Sequence, residues 1–137
     1  TANLTILEGD EIVYVAQEES DKLIKMFTKT GATAPLHCTA SGKIFLAYKN
    51  QDERDQIIDG LKLERFTENT ITDKKDLKRE LLKIKDDGYG FDVEERDDDV
   101  SCISGPKNRF SPGNKDKWIG MIVDIAKEAS EHLKTFK

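Results

Sequence analysis

The chain opens on an alternation. Leu4 and Ile6 share one parity, Thr5 and Leu7 the other, and Glu8-Gly9-Asp10-Glu11 then supplies turn residues. Ile12, Val13, Tyr14 and Val15 follow as a β-branched and aromatic run, so the pattern predicts a hairpin closed by a Gly-Asp turn. Residues 23–30 read as a third strand, ended by Gly31 and an irregular stretch reaching Pro35. From Thr39 the spacing turns helical. Thr39 or Ser41 can cap the start, and Ile44, Phe45, Ala47 and Tyr48 give the apolar positions. A second helix is expected over residues 52–59, with Ile57, Ile58 and Leu61 inward and Gly60 as its stop.

Residues 69–72 read as extended. Asp73 then caps a helix whose Leu77, Leu81 and Ile84 lie on one face, and Gly88 terminates it. Residues 89–94 and 100–104 read as strands, with breaks at Gly105-Pro106 and at Ser111-Pro112-Gly113. A last helix is marked by Trp118, Ile122, Ile125, Ala129, Leu133 and Phe136, which form a single apolar stripe. Strands come before and between helices without strict alternation. The expected fold is therefore one α+β domain over residues 1–137, an antiparallel sheet flanked by helices. The chain has no internal repeat, linker or low-complexity tract.

Composition narrows the function classes. Charged and hydrophobic residues each make up 36% of 137 residues, the balance of a globular protein that buries a continuous core. No apolar run approaches the roughly 20 residues needed to cross a bilayer. The start reads as a strand rather than a signal peptide, so the expected location is cytoplasmic. A net charge of −5, with lysines mixed among acids, argues against a nucleic-acid surface, because duplex binding relies on Lys and Arg displacing counterions. Two cysteines, Cys38 and Cys102, could pair, but cytosolic thiols are normally reduced.

Three groups of residues invite chemistry. His37-Cys38-Thr39-Ala40-Ser41-Gly42-Lys43 leads from an irregular segment into a helix start, where the first backbone N–H groups lack intrahelical partners and the dipole is positive. Small residues at Ala40, Ser41 and Gly42 leave room for a carboxylate or phosphate. The plainer reading is a simple helix cap by Thr39 or Ser41, and the spacing is not that of a phosphate-binding P-loop. The run Asp92-Val93-Glu94-Glu95-Arg96-Asp97-Asp98-Asp99 lacks the calcium-loop pattern and reads as a solvated acidic loop, with Asp92 alone expected to face inward. Cys102, between Val100 and Ile103, reads as a small core residue. An enzyme reading would pair Cys38 or Cys102 with His37 or His132, and a zinc site would need paired spacings that are missing here. No cofactor is expected.

Taken in order, several segments resemble the effector-binding domain of IclR-type bacterial transcriptional regulators. The opening from Asn3-Leu4 to Tyr14-Val15 is similar to that domain's first hairpin. Pro35-Leu36-His37-Cys38-Thr39-Ala40-Ser41-Gly42-Lys43 with Leu46-Ala47 is similar to its most distinctive stretch. Asn69-Thr70-Ile71-Thr72-Asp73, Gly88-Tyr89-Gly90-Phe91-Asp92 with Glu94-Glu95, and Ser104-Gly105-Pro106 with Arg109 match further signatures. The resemblance implies a GAF/PAS-like sensor domain binding small organic acids or related metabolites, preceded in the full regulator by a winged helix-turn-helix and assembled as dimers or tetramers. It also implies effector contacts from the backbone N–H groups of Ala40 and Ser41 and from the side chains of Asp92, Cys102 and Ser104. Leu23, Met26, Ala34 and Val100 would form the apolar wall. Ala34 is small for that wall and would admit a larger ligand. DNA would be met only through the winged-helix domain.

The chain departs from the family at one internal point. Cys102-Ile103-Ser104-Gly105 runs directly where the family has a further strand, a turn and most of another strand, a shortfall of roughly 17 residues against the usual domain length. Either that central hairpin is missing from the sequence or it has been deleted. A deletion would expose unpaired strand edges, so omission is the preferred reading. Two rival functions stand beside the sensor: a cysteine-dependent enzyme on a GAF-like fold, and a pure oligomerisation module.

Overall fold

The computed structural model describes residues 2–18, 29–97, 100–101 and 105–106. Strands β1 (Ala2–Glu8) and β2 (Glu11–Glu18) form the expected antiparallel hairpin, turning at Gly9 with φ +63°. Glycine adopts that left-handed conformation without the Cβ clash other residues suffer. Between Leu4 and Thr5 the register shifts, Leu4 facing Ala16 and Thr5 facing Tyr14, which leaves Val15 as an extra residue in a bulge. Strand β3 (Thr33–Pro35) joins the other side of β2, with Ala34 opposite Ile12, and gives a three-stranded sheet of order β1-β2-β3.

This is a correction to the sequence reading, which treated the residues before Pro35 as irregular. Gly31, at φ +89°, turns the chain so that its own N–H reaches the Tyr14 carbonyl at 2.7 Å. Thr33, Ala34 and Pro35 then pair at the edge of the described sheet, a position that tolerates proline. Of the third strand expected over residues 23–30, only Lys29 and Thr30 are described. They lie outside any strand, Thr30 in a turn.

Helix α1 (Ala40–Tyr48) follows β3 after four residues. It is capped by Thr39, whose Oγ1 accepts from the Gly42 N–H at 3.2 Å. Helix α2 (Gln51–Gly60) is capped by Asn50, and α3 (Lys74–Asp87) by Asp73, with Gly88 in the left-handed conformation at its end. Lys78 Nζ reaches Asp55 Oδ1 at 3.1 Å and Lys74 Nζ reaches the Asp59 carbonyl at 2.6 Å, tying α3 to α2. Helix α1 packs against α3 and also meets β1 and β2. Ile12, Ala34, Leu36, Leu46, Ala47, Ile58, Leu77, Leu81 and Ile84 make one buried apolar cluster between sheet and helices. The fold is α+β, an antiparallel sheet with helices against it.

The inward face of α1 also differs from the expectation. Tyr48 is exposed, while Lys43 and Leu46 are buried with Ala40, Gly42 and Ala47. Gly42 is fixed by close approach. A Cβ there would sit 2.5 Å from both Cα and O of Leu36.

Two segments read as extended are irregular. Residues 66–73 form turns and loop, and residues 89–92 run without strand pairing before an isolated bridge at Val93. Glu94 then takes φ +56°, a left-handed conformation that ends any extended run. Strand β4 (Val100–Ser101) pairs antiparallel with β5 (Gly105–Pro106), so Gly105-Pro106 pairs where the sequence suggested a break. Residues 102–104, the break at residues 111–113 and the expected last helix lie outside the described residues.

Candidate functional site

Chain geometry at the start of α1 leaves backbone donors open. Thr39 takes two of the first N–H groups: its hydroxyl accepts from Gly42, and its carbonyl accepts from Lys43 at 2.9 Å. Among the described residues no acceptor meets the N–H groups of Ala40 and Ser41. Ala40 is buried and Ser41 half-buried, so these donors sit in the sheltered first turn where the helix dipole is positive.

The segment from Asp92 to Asp97 meets α1 through the contact of Glu95 with Lys43. Here the sequence reading is corrected again, because the acidic run is not uniformly solvated. Asp92 is 6% exposed and Glu95 7%, whereas Val93 and Asp97 face water. The loop's backbone groups are met one by one. Asp92 Oδ1 accepts from the Glu95 N–H at 2.7 Å. The Thr67 hydroxyl donates to the Glu94 carbonyl at 2.5 Å, the Thr70 hydroxyl to the Glu95 carbonyl at 2.6 Å, and Asn69 Nδ2 to the Val93 carbonyl at 3.2 Å. The Asn69-Thr70 motif is thus a clip that holds the loop through its carbonyls.

Lys43, fully buried on α1, reaches Glu95 Oε1 at 2.5 Å. Burial pushes the Asp92 carboxyl up from its ordinary 3.8 to about 6; the Glu95 N–H bond and the Lys43 charge pull the other way, and Glu95 itself adds to the rise. Burial raises the Glu95 carboxyl as well, with the Lys43 ammonium opposing.

His37 and Cys38 precede the cap. The His37 Nε2–H donates to the Glu64 carbonyl at 2.9 Å, and Nδ1 is buried and meets no hydrogen-bond partner among the described residues. The ring tilts against Phe66 at 6.0 Å, and the Arg96 guanidinium carbon lies over that Phe66 ring, 4.3 Å from its centroid. Cys38 is a free, fully buried thiol. Burial pushes it up to about 12, against the pull of Arg96 and with the help of Asp92 and Glu95. A thiol held there carries no thiolate at neutral pH and is a poor nucleophile. Among the described residues no three His, Cys, Asp or Glu side chains converge as a metal site would require.

Of the expected effector contacts, Ala40, Ser41 and Asp92 are described, and the Lys43–Glu95 contact ties the loop of Asp92 to the helix that begins at Ala40. Ala34 belongs to the apolar cluster with Ile12 and Leu36. Val100 lies in β4. Leu23, Met26, Cys102 and Ser104 lie outside the described residues. A shallow hollow of about 40 Å³ between Glu80, Lys83 and Tyr89 is large enough for little more than a water molecule.

The family profile for the "bacterial transcriptional regulator IclR C-terminal" domain matches residues 1–111. The chain belongs to the IclR family. Among its relatives, the HTH-type transcriptional regulator KdgR of Escherichia coli is 38% identical over 97% of this chain and 57% of its own length. The crystal structure of the Thermotoga maritima IclR matches with TM-score 0.87 at 29% identity, over 96% of this chain and 60% of that one. A double mutant of the inducer-binding domain of PobR from Acinetobacter, in complex with 3-hydroxybenzoic acid, shares the fold with TM-score 0.82 at 21% identity, over 93% of this chain and 85% of that one.

The chain spans about half the length of the curated relatives it matches. The KdgR alignment runs over 150 positions but takes in 97% of the 137 residues, about 133, so the relative carries about 17 positions without a counterpart here. That is the size of the shortfall expected near Cys102. No helix among the described residues is long and apolar enough to cross a membrane.

For this IclR-family domain, the sequence reading missed Lys43, Glu95, Thr67 and Thr70. A signal for Lys43 was present: it stands three and four residues before Leu46 and Ala47, on the buried stripe of α1. Glu95 stood only within a family signature, and its pairing left no local trace because its partner lies 52 residues away.

Proposed function

We propose that this domain is the metabolite-sensing part of a transcriptional regulator and that its ligand is a small organic acid. The acid's carboxylate would lodge on the N–H groups of Ala40 and Ser41, and a hydroxyl or second polar group would meet Asp92, Cys102 and Ser104. Leu23, Met26, Ala34 and Val100 would enclose its carbon skeleton, with the small Ala34 leaving room. The observation that carries the reading is the pair of sheltered amides at the start of α1 that no described acceptor meets, on the helix that Lys43 ties to the loop of the buried Asp92. Support also comes from the PobR domain, where the same fold holds 3-hydroxybenzoic acid. An Asp92 titrating near 6 is compatible with an anionic neighbour, because it can take up a proton and become a donor.

In this reading the domain is a sensor rather than a catalyst, and burial of the Cys38 thiol, which pushes it up to about 12, supports that by making it a poor nucleophile. Ligand binding would favour one arrangement of domains in a cytoplasmic dimer or tetramer, and so change how winged-helix domains outside this sequence meet DNA. Such a shift requires different affinities for the two arrangements. A thermal-shift screen of keto, hydroxy and aromatic acids tests the reading. At least one acid should raise the melting temperature, and Ser41→Pro, which removes one donor where helices tolerate proline, should abolish the rise in a folded domain. Unchanged acid affinity in folded Ser41→Pro would overturn the site.

A further inference from the structure

Lys43 and Glu95 form an unusual pair. Both are almost wholly removed from water, and Lys43 Nζ has Glu95 Oε1 as its one hydrogen-bond partner among the described residues. The second carboxylate oxygen, Oε2, is buried and meets no hydrogen-bond partner among the described residues. An ion pair repays the desolvation of its charges only when the remaining lone pairs and protons are also satisfied, and apolar residues of similar shape often serve stability equally well. This pair is not built for stability, so its value lies in what it joins.

Glu95 is the node of the loop. Its N–H donates to Asp92 Oδ1, its carbonyl accepts from Thr70, and its carboxylate meets Lys43. Lys43 stands three residues after Ala40, one turn along the same side of α1. We propose that the Lys43–Glu95 pair is a positioning device for the effector site, fixing the orientation and distance of the Asp92 carboxyl relative to the amides of Ala40 and Ser41. The proposal rests on the effector reading above for its functional meaning. The geometric link between loop and helix is independent of it.

The pair differs in kind from the threonine clip. Thr67, Thr70 and Asn69 hold the loop's carbonyls and would keep it near the 66–70 turn wherever α1 lay. Only a contact made from α1 itself can register the loop against the helix start, and Lys43 makes one. It also sets the local field. The Lys43 charge favours ionised Asp92 and the Glu95 carboxylate disfavours it. One pair thereby controls both where Asp92 points and how readily it takes up a proton.

The test uses the full 137-residue chain and three variants. Lys43→Met/Glu95→Leu removes both charges without stranding either. Amide hydrogen exchange over residues 92–97 should quicken at least tenfold in this double variant, with exchange in α3 unchanged. Unaltered protection over residues 92–97 would overturn the proposal. Carbon-13 carboxyl titration of Asp92 supplies a readout that simple bracing would leave still. Its midpoint should fall below the wild-type value in Glu95→Gln and rise in Lys43→Met, and a midpoint identical to wild type in Glu95→Gln would count against the pair. Should Lys43→Met fail to fold, the double variant and Glu95→Gln decide.

With 3-hydroxybenzoate as probe, an affinity loss of about tenfold in the folded double variant is expected, the equivalent of about 1.4 kcal/mol. Full affinity alongside quickened exchange would overturn the positioning role. Failure of wild type to bind 3-hydroxybenzoate would count against the ligand reading alone, with the exchange and titration results still deciding the pair.

Discussion

The buried stripe of α1 is covered in opposite ways along its length, with an apolar side of the core at one end and a polar side at the other. Leu46 and Ala47 pack with Leu77, Leu81 and Ile84 of α3 in a wholly apolar interior, where every neighbour tolerates every other. Toward the helix start, Lys43 meets a loop of Asp92 and Glu95 clipped by Thr67 and Thr70, where each group depends on one named partner. The apolar side gains from area removed from water and is insensitive to direction. The polar side is directional, and a missing partner there leaves a desolvated group uncompensated. A domain that must hold a ligand's polar end is expected to concentrate such dependence at one place and leave the rest to oil-like packing.

The largest effect should separate the two sides by double substitution. Lys43→Met alone leaves the Glu95 carboxylate buried without its cation and should cost about 3–5 kcal/mol in denaturant unfolding, whereas adding Glu95→Leu should recover most of it. Leu81→Ala should cost about 2–5 kcal/mol through the cavity it leaves, and no second substitution on the polar side should rescue it. Equal rescue on both sides would erase the contrast.

Next comes pH. The folded values of Asp92 and Glu95 are raised, so their contribution to stability is fully present below the ordinary carboxylate range and is lost as pH rises through the folded value, about 6 for Asp92. Asp92 alone accounts for about 3 kcal/mol of decline between roughly pH 4 and 6. Asp92→Asn keeps an oxygen for the Glu95 N–H and should flatten that decline in urea melts collected across the range, while Leu81→Ala should leave its slope unchanged.

Two smaller effects sharpen the boundary between the sides. Gly42→Ala forces a Cβ onto the Leu36 backbone and should cost about 1–3 kcal/mol by thermal melting, with a shift of α1 that also weakens acid binding. Thr39→Ala should cost about 1 kcal/mol, the usual loss for a helix cap, read from the same melts.

What could be read from the sequence follows the same division. The hairpin, the three helices and the caps at Thr39 and Asp73 are signalled by local pattern, because periodicity and turn chemistry act over a few residues. The buried faces of α3 at Leu77, Leu81 and Ile84 emerge from spacing alone. Strand β3 escaped because three residues ending in proline give no alternation to detect, and their pairing is made by β2. Residues 89–94 misread as a strand because their apolar and aromatic content suits one, while the Asp92 side chain and the left-handed Glu94 bend the chain away. The open amides at Ala40 and Ser41 were legible as a helix start with small residues. The burial of Glu95 was not: a run of charges is solvated by default, and only tertiary pairing with Lys43 overrides that.

The hydroxyl of Thr39 has one more consequence. It donates to the Pro35 carbonyl at 2.8 Å while accepting from the Gly42 N–H, so one oxygen atom pins the last residue of β3 to the first turn of α1. The same strand pairs with β2, so the helix start, β3 and the hairpin are joined by an unbroken run of hydrogen bonds. A ligand seated at the helix start would therefore stand one side chain away from β3.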